Sequence, residues 1–370
     1  YKKESMTKLL YILPEYVADA HTHFSYIPAL LDRVADSLEI SLIVLRGSRP
    51  HLPRLKRIMV CSRIPLIRHI ELPLYILYAR LRGATVAYVH YSFAGAFLAA
   101  LIFRVTGGRV LYWNCGLPWL YQRSFFRGAF EGLVYMFVSG VVTGTEKLAD
   151  HYAEQYVLSR KKIHVMPNWI DVEKTKIDAG NDDVLRVRES LGIAQETRLV
   201  LFAHRLSERK GAHYLPAIVK RLPRESLLIV LGDGPSRDHV ERQIAELGME
   251  YKVRFFGWQP HRTVLKFMRA SDVFIMPSDE EGFPHVLLEA MALSIPFVAS
   301  AVGGVPEILP PGPLSRPIEK GDMTKFSDSI ALSLVLPKVI KDAWMQETQQ
   351  WVMQYDLRQV SKRFIELVSL

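Results

Sequence analysis

The chain has 370 residues, of which 49% are hydrophobic and 23% charged, and its formal net charge is +9 at pH 7. This hydrophobic content excludes a disordered chain, and the length suits two domains better than one. The sequence contains no uninterrupted apolar run of about 18 residues, so a transmembrane helix is not expected. Cys61 and Cys115 lie in unlike contexts, which predicts neither a zinc site nor a disulfide, and a reducing, cytoplasmic compartment is expected.

Positive charge is concentrated in the first part of the chain. Residues 1–170 hold 21 Lys and Arg against 11 Asp and Glu, whereas the remaining 200 residues hold 26 against 27. Between residues 46 and 127 there are 13 basic residues and one acid, Glu71. Such a block needs either an anionic partner, such as nucleic acid or a membrane bearing anionic lipid, or a well-solvated face.

Short apolar segments alternate with helical patterns in the first half of the chain. The segments that read as strands are 8–13, 40–45, 86–90 and 110–113, and segments 138–143 and 162–166 close this half. Apolar spacing predicts helices over 27–38 and 94–103. Because strands and helices alternate, we expect a parallel sheet that is covered on both faces.

Residues 117–137 combine aromatic and basic side chains. The segment contains Trp119, Tyr121, Arg123, Phe125, Phe126, Arg127 and Phe130. This mixture is typical of an amphipathic helix at a lipid interface, and it also fits a buried core helix with two surface arginines. Five basic residues that precede it would each add about 1 kcal/mol of attraction to anionic headgroups. These residues are Arg54, Lys56, Arg57, Arg63 and Arg68. The resulting hypothesis is an anionic membrane surface contacted through residues 46–137.

The second half of the chain repeats the alternation of strands and helices. A polar and weakly patterned linker over 171–184 is followed by strands predicted at 199–202, 226–231, 253–256, 273–276 and 296–300. A helix is predicted over 235–247, with Gly248 as its C-cap. Residues 310–313 form a proline-rich loop, and residues 338–370 are predicted to be helical with a restart at Asp356.

The segment 277–293 carries two carboxylates, Glu281 and Glu289, separated by seven residues. Pro284 is suited to the first position of a helix, and the apolar residues after it would form the buried flank of that helix. A turn that leads into a helix N-terminus attracts anionic or strongly polar ligands. With Glu281 on the preceding loop, both acids can face one cleft. The alternative is that the acids at positions 279–281 only complement the helix dipole.

This segment resembles the E-x7-E signature of retaining glycosyltransferases with the GT-B fold, in particular glycosyltransferase family 4. Other stretches resemble motifs of that family in the same order. They are Val-Met-Pro-Asn-Trp-Ile-Asp at 165–171, Ala-His-Arg-Leu at 203–206 with Lys210-Gly211, Leu-Gly-Asp-Gly-Pro at 231–235, Phe256-Gly257 and Gly-Gly-Val-Pro-Glu at 303–307. In the family, the second of these motifs reads G-R-L…K-G. The close matches cover roughly residues 163–310.

The resemblance implies an α/β chain with the GT-B fold, in which two Rossmann-like domains face a central cleft. It assigns residues 1–170 to an acceptor-binding domain, 171–355 to a donor-binding domain, and 356–370 to a helix that packs back on the first domain. It implies a retaining, metal-independent transfer of a hexose from a UDP- or GDP-sugar to a lipid-linked or surface-polysaccharide acceptor. No cofactor, metal ion or nucleic acid is expected, and the enzyme would be cytoplasmic or peripheral on the inner face of the cytoplasmic membrane.

The resemblance also assigns roles on the donor side. Arg205 and Lys210 would stabilise the leaving diphosphate, although the same residues also fit a solvated basic turn after a strand. Glu281 would lie beside the transferred sugar and Glu289 at the ribose. Further donor-side residues are Gly211, Gly232, Gly234, Gly282, Phe283 and Pro284, where the glycines allow close backbone approach or shape a turn. We expect Glu281→Ala and Lys210→Ala to lose turnover without a change in melting temperature.

The acceptor side resembles the family less closely. Family members usually carry two glycines after the first strand, whereas this chain has Ala-Asp-Ala-His-Thr-His-Phe at 18–24, which includes His21. His90 is either a cleft histidine or a structural one. Cys115 occupies a position where family members often hold a histidine, and Asn114 is suited to supply the missing hydrogen bond.

Two other functions are compatible with parts of the sequence. A nucleotide-sugar epimerase shares the fold and needs no acceptor. A basic nucleic-acid-binding protein would explain the charge of the first half, but it leaves the clamp of Arg205 and Lys210 and the acidic motif without a role.

Overall fold

The computed structural model describes residues 6–17, 24, 26–121, 124–180 and 183–370. The chain divides into two compact units. Unit 1 comprises the chain up to Pro167 together with Leu357–Leu370, and unit 2 comprises Asn168–Asp356.

Unit 1 is built on a seven-stranded parallel sheet with the strand order β3-β2-β1-β4-β5-β6-β7. The strands are β1 (Thr7–Leu13), β2 (Leu38–Val44), β3 (Arg57–Val60), β4 (Val86–His90), β5 (Arg109–Trp113), β6 (Gly140–Thr143) and β7 (Ile163–Val165). The helices are α1 (Ile27–Val34), α2 (Pro65–Leu81), α3 (Phe93–Thr106), α4 (Phe125–Phe137) and α5 (Glu146–Tyr156), with a C-terminal helix described below. The central strands read as continuous apolar runs because helices cover both faces of the sheet.

Unit 2 is built on a five-stranded parallel sheet with the order β10-β9-β8-β11-β12. Its strands are β8 (Arg198–Ala203), β9 (Ser226–Leu231), β10 (Val253–Phe255), β11 (Val273–Met276) and β12 (Phe297–Ala299). Its helices are α6 (Val172–Ala179), α7 (Asp183–Ser190), α8 (Leu215–Arg221), α9 (Arg237–Glu246), α10 (His261–Ala270), α11 (His285–Ala292), α12 (Val305–Ile308), α13 (Met323–Leu334) and α14 (Lys338–Val352). Strand order reverses between β8 and β11, and open parallel sheets bind ligands at the carboxyl ends of strands at such a point.

The last helix, α15 (Leu357–Ser369), belongs to unit 1, where it packs against α1 and β1. The ring of Phe364 lies 5.0 Å from that of Tyr88 and 6.3 Å from that of Tyr11. The predicted fold class is therefore confirmed in its two parallel α/β sheets and in the terminal helix that returns to the first of them.

Several elements differ from the sequence-based predictions. The predicted linker 171–184 instead contains α6 and the start of α7. The Asp171 side chain caps α6 by accepting a hydrogen bond from the N–H of Lys174 at 3.0 Å, and Gly180 ends the helix with φ +61°. The helix predicted over 27–38 stops at Val34, because Leu38 already pairs with Thr7 in the sheet. Strand β3 and helix α2, in the basic block, were not predicted at all.

The junction between the units also lies elsewhere than expected. Asn168 and Ile170 belong to unit 2, because the Asn168 amide donates to the carbonyl of Phe283 at 3.0 Å and the N–H of Ile170 donates to that of Tyr355 at 3.0 Å. Asp356 belongs there as well, since its carboxylate accepts a hydrogen bond from the N–H of Val172 at 3.3 Å.

Candidate functional site

Two loops of unit 2 lie at the point where the strand order reverses. The clamp loop, residues 204–214, follows β8, and the acid loop, residues 277–284, follows the neighbouring strand β11. Because parallel strands end at the same edge of a sheet, the basic and acidic motifs predicted from sequence are brought side by side.

The two loops dock against each other through their backbones. The carbonyl of Arg209 accepts hydrogen bonds from the N–H groups of Asp279 at 3.0 Å and Glu280 at 3.3 Å. Gly211 has φ +73°, and a Cβ at this position would lie 1.9 Å from the carbonyl oxygen of Pro277. A glycine is therefore required for the loops to approach this closely.

Glu281 is a buried carboxylate held by three neighbouring groups. Its Oε1 accepts hydrogen bonds from Lys210 Nζ at 2.6 Å and Ser278 Oγ at 2.8 Å, and it lies 3.6 Å from His204 Nε2. Burial by itself raises the pKa of Glu281, but the charge of Lys210 and the hydrogen bonds from Lys210 and Ser278 act in the opposite direction, and the pKa is held below its usual value. Glu281 is therefore ionised at neutral pH and fixed in place. Sequence reasoning treated Lys210 and Glu281 separately, and the structure joins them.

Gly303 supports this arrangement from a third loop. It has φ +52°, and a Cβ here would lie 1.7 Å from the carbonyl oxygen of Glu281. The Gly-Gly-Val-Pro-Glu motif at 303–307 thus contributes a close backbone contact beneath the acid loop.

Glu289 lies one turn into α11, where its Oε1 is 2.7 Å from Nε2 of His261, the first residue of α10. Burial raises the pKa of Glu289, but the hydrogen bond and charge of His261 outweigh it and lower the pKa. Burial lowers the pKa of His261, while the hydrogen bond and charge of Glu289 outweigh it and raise the pKa. Each group thus favours the charged form of the other, and both Glu281 and Glu289 act electrostatically on the ring of His204.

His204 lies between these charges. Burial, and then the charge of Lys210, lower its pKa to about 4, although the two glutamates act in the opposite direction. Its ring is therefore neutral at physiological pH.

Arg205, the next residue, is exposed, and within the described part of the chain no hydrogen bond or ion pair is recorded for its guanidinium. It borders a cavity of about 370 Å³. The lining residues are Ala203, His204, Arg205, Leu231, Gly232, Asp233, Trp258, Gln259 and Val264. An arginine fork beside a cavity at the sheet's carboxyl edge is a suitable place for an anionic ligand.

Gly232 and Gly234 bring the loop after β9 close to the clamp loop. A Cβ on Gly232 would lie 2.0 Å from the His204 carbonyl oxygen, and one on Gly234 would lie 2.3 Å from that of Leu206. Asp233 between them accepts a hydrogen bond from Arg237 at 3.2 Å. Of these two glycines, Gly232 lines the cavity.

The remaining predicted donor-side residues lie on the acid loop, and their donor-side role stays a prediction. The Phe283 ring is buried and lies 5.6 Å from that of Tyr355. Pro284, predicted as the first helical residue, is instead the N-cap of α11, because its ψ of 115° is extended. Gly282, half-buried, lies between Glu281 and Phe283 on the acid loop.

The predicted acceptor-side residues lie in unit 1. His21 is outside the described residues. His90, at the end of β4, is fully buried, stacks on the Trp113 ring at 4.0 Å and lies 3.0 Å from the Tyr11 hydroxyl.

Asn114 and Cys115, also in unit 1, are buried as well. Asn114 donates to the Tyr135 hydroxyl at 3.0 Å and accepts from the N–H of Gly116 at 2.9 Å. Burial raises the pKa of the Cys115 thiol. The acceptor-side role of His90, Asn114 and Cys115 stays a prediction.

Sequence reasoning missed three residues of the site, namely His204, Ser278 and His261. For His204 a signal existed, since it occupies the glycine position of the G-R-L motif. The partnership of His261 with Glu289 had no sequence signal, because it depends on how α10 packs beside α11.

Among the residues that the structure describes, no group of three His, Cys, Asp or Glu side chains is arranged to hold a metal ion. No helix in the same residues is both long and apolar enough to cross a bilayer.

Two protein families match the chain, one on each unit. Residues 20–174 match glycosyltransferase family 4, and residues 183–350 match glycosyl transferases group 1. An uncharacterised glycosyltransferase of Methanocaldococcus jannaschii is 32% identical over 173 residues, which are 46% of this chain and 44% of that protein. The lipopolysaccharide core biosynthesis glycosyltransferase LpsE of Rhizobium meliloti is 34% identical over 155 residues, which are 42% of this chain and 43% of that protein. The match therefore spans less than half the length of these curated relatives.

The fold is matched along nearly the whole chain. The crystal structure of Anabaena HepE in complex with UDP-glucose superposes with a TM-score of 0.78 over 98% of this chain and 99% of that chain, at 19% identity. At that identity the similarity establishes the fold alone. The chain thus has the GT-B fold, with residues 20–174 similar to glycosyltransferase family 4 and residues 183–350 similar to the glycosyl transferases of group 1.

Proposed function

We propose that the protein is a retaining glycosyltransferase that moves a hexose from a nucleoside-diphosphate sugar to a lipid-linked or surface-polysaccharide acceptor. The observation that supports this most is the buried Lys210–Glu281 pair with Arg205 beside it, at the strand-order reversal of unit 2. A solvated basic turn, the alternative for these cations, does not explain a lysine that is only 15% exposed.

The cations act on the leaving group. As the bond between the anomeric carbon and the phosphate oxygen breaks, negative charge develops on the diphosphate and must be stabilised. Arg205 offers a planar fork of donors, and Lys210 has three N–H donors, of which Glu281 Oε1 takes one. The ammonium is thereby held in a fixed position with donors left for phosphate oxygens.

Glu281 positions the sugar and takes no part as an acid. Its lowered pKa keeps it ionised, so it accepts hydrogen bonds from sugar hydroxyls and has no proton to give. In the proposed same-face mechanism, the acceptor oxygen bonds to the anomeric carbon while its proton passes to the departing phosphate oxygen. Rate then comes from orientation and from stabilisation of the leaving group, and no protein nucleophile is needed.

The nucleoside would occupy the cavity beside Arg205, with Glu289 at the ribose. The Glu289 carboxylate is largely buried, ionised and oriented by His261, which suits it to accept hydrogen bonds from two vicinal hydroxyls. Because the HepE structures hold UDP and UDP-glucose, UDP-glucose is the first donor to test, with GDP-glucose as the matched change of base.

The test is a donor-dependent assay without added metal. The protein should be stabilised against heat by UDP-glucose or GDP-glucose, because a ligand of the native state raises its melting temperature by mass action. With an acceptor extract it should transfer labelled hexose with the anomeric configuration kept, and excess chelator should leave the rate largely intact. Epimerised sugar formed without acceptor would identify an epimerase, and loss of activity with chelator would contradict the metal-independent reaction.

The proposed acceptor side includes an anionic membrane, and helix α2 supports it. Its residues form a solvent-facing apolar stripe at helical spacing, with Leu66 74%, Ile70 59%, Leu74 57% and Leu81 78% exposed. The stripe lies in the basic block, whose one acid, Glu71, accepts a hydrogen bond from the N–H of Ser62 at 2.6 Å. An apolar stripe flanked by cations matches an anionic bilayer.

Helix α4 adds to the same layer, because α2 contacts α3 and α3 contacts α4. Phe125 and Phe126 at its start are both more than 80% exposed. The helix begins at Phe125 and does not extend over all of 117–137, and Trp119 instead packs on Tyr152 with ring centroids 5.1 Å apart.

A further inference from the structure

His204 is a residue that the proposed chemistry has so far left unused. It stands where the G-R-L motif of glycosyltransferase family 4 has glycine, directly before Arg205. A bulky polar ring at this position, beside the two glutamates, is a property of this chain that the resemblance does not explain.

His204 lines the cavity beside Arg205, and one nitrogen of its ring has no hydrogen-bond partner among the described residues. Its side chain is 16% exposed, and its Nε2 is buried with no hydrogen-bond partner among the described residues. Glu281 Oε1 lies 3.6 Å from Nε2, beyond hydrogen-bonding distance. A buried imidazole nitrogen without a partner costs free energy unless a ligand satisfies it.

Four charged residues act electrostatically on this ring. Lys210 and Arg209 on the clamp loop favour its neutral form, while Glu281 on the acid loop and Glu289 on α11 favour its protonated form. With burial added, the neutral form prevails in the ligand-free protein, and its pKa is about 4. A doubly charged diphosphate held by Arg205 and Lys210 would add negative charge close to this ring, which lines the same cavity as Arg205, and would favour its protonated form.

We propose that His204 is a third diphosphate ligand, which takes up a proton when a nucleoside-diphosphate sugar binds and donates a hydrogen bond from Nε2 to a diphosphate oxygen. This rests on the proposed function, because it assumes that the diphosphate binds beside Arg205 and Lys210. It adds a cation that is absent from the empty site and present only with donor bound.

Proton uptake is measured directly by titration calorimetry in two buffers that differ in ionisation enthalpy, at about pH 6. The probe is UDP-glucose, or GDP-glucose if only that donor binds, because the diphosphate of a nucleotide sugar does not titrate near this pH. Wild-type protein should take up most of one proton per donor, and His204→Gln much less. His213→Gln is the matched control, a histidine of the same loop whose Nε2 lies 3.7 Å from Asp279, and it should behave as wild type.

The affinity should follow the same pattern. Between about pH 7.5 and about pH 5.5 the wild-type dissociation constant should fall by about tenfold, and that of His204→Gln should change by less than about twofold, given an ordinary histidine pKa near 6.5 in the complex. His261 is common to both proteins, so any change in the protonation of its ring cancels in the difference.

Each outcome bears on a separate claim. Failure of the wild type to bind either donor contradicts the proposed function. Binding with equal proton uptake in wild type and His204→Gln overturns the role of His204 and leaves the proposed function intact. If His204→Gln does not fold, His204→Gly, which restores the residue of the family motif, gives the same comparison.

Discussion

The clamp loop of unit 2 and the region of helix α2 in unit 1 both carry cationic side chains, but these cations differ in burial and in pairing. Lys210 is nearly buried, and its ammonium lies 2.6 Å from a buried carboxylate. Arg63, at the start of α2, is exposed next to apolar side chains that are themselves exposed. A buried pair recognises an anion by geometry, whereas exposed cations attract a charged surface over a Debye length of about 8 Å. The two settings therefore suit the two anions that we propose, a diphosphate at the clamp loop and an anionic lipid surface at helix α2.

The largest expected effect comes from breaking the buried pair. Lys210→Met and Glu281→Gln should each lower turnover by about a hundredfold or more, because leaving-group stabilisation or sugar positioning is lost. Assays of kcat with the donor that binds, and melting temperatures of the same proteins, measure this. A variant with near wild-type turnover would refute the role assigned to that residue.

The structure also corrects the expected stability of such variants. From sequence, no change in melting temperature was expected. With Glu281 buried, loss of Lys210 leaves an uncompensated charge, which costs about 3–5 kcal/mol. The double variant Lys210→Met/Glu281→Gln should regain part of that loss, and a double variant no more stable than Lys210→Met would contradict the coupling.

Removing the exposed stripe should have the next largest effect, and only on membrane binding. The triple variant Leu66→Ser, Ile70→Ser, Leu74→Ser should lose at least about tenfold in flotation with anionic liposomes, since each side chain contributes apolar burial. High salt should weaken wild-type flotation, because the cations are screened.

The matched control for the stripe lies on unit 2, where Leu332→Ser with Val339→Ser removes two exposed apolar side chains outside the basic block. This variant should float as wild type does. If wild type does not float with anionic liposomes at low salt, or if the control variant loses as much flotation as the triple variant, the proposed membrane role of α2 is wrong.

The smallest expected effect is on the pH dependence of stability, to which His204 and His261 contribute with opposite signs. The pKa of His261 is raised in the fold, so its stabilising contribution is present below about pH 6.5 and is lost as pH rises through the folded pKa. The pKa of His204 is lowered to about 4, so the unfolded chain binds a proton first and wild-type stability falls as pH drops below about 6.5.

When the pH is lowered from about 7.5 to about 5.5, the free energy of unfolding of His204→Gln should therefore rise by about 1 kcal/mol relative to that of wild type. The free energy of unfolding of His261→Gln should fall relative to that of wild type. Melting temperatures of the ligand-free proteins at the two pH values measure the difference. A shift of the same sign in both variants would contradict the assigned charge states.

Motifs and apolar runs were enough to predict both parallel sheets and to place Arg205 and Lys210 directly after a strand of the second sheet. Helix α2 was not predicted because apolar residues occur on both its buried and its exposed faces, so its sequence shows no amphipathic pattern. In addition, Pro73 lies within the helix. Helix α6 was not predicted because the residues that mark its ends, the N-cap Asp171 and the C-cap Gly180, are not accompanied by apolar periodicity. Pairings between loops, such as Lys210 with Glu281, depend on tertiary packing that no local pattern encodes.

The most direct test of the central claim is the affinity of UDP-glucose or GDP-glucose for Arg205→Ala, measured by titration calorimetry beside wild type. Arg209→Ala is the matched control, since the Arg209 guanidinium lies 3.9 Å from Glu280 and does not line the cavity. If the diphosphate is held at the clamp, Arg205→Ala should bind at least about tenfold more weakly and Arg209→Ala within about twofold of wild type. Equal affinity of Arg205→Ala and wild type would contradict the account.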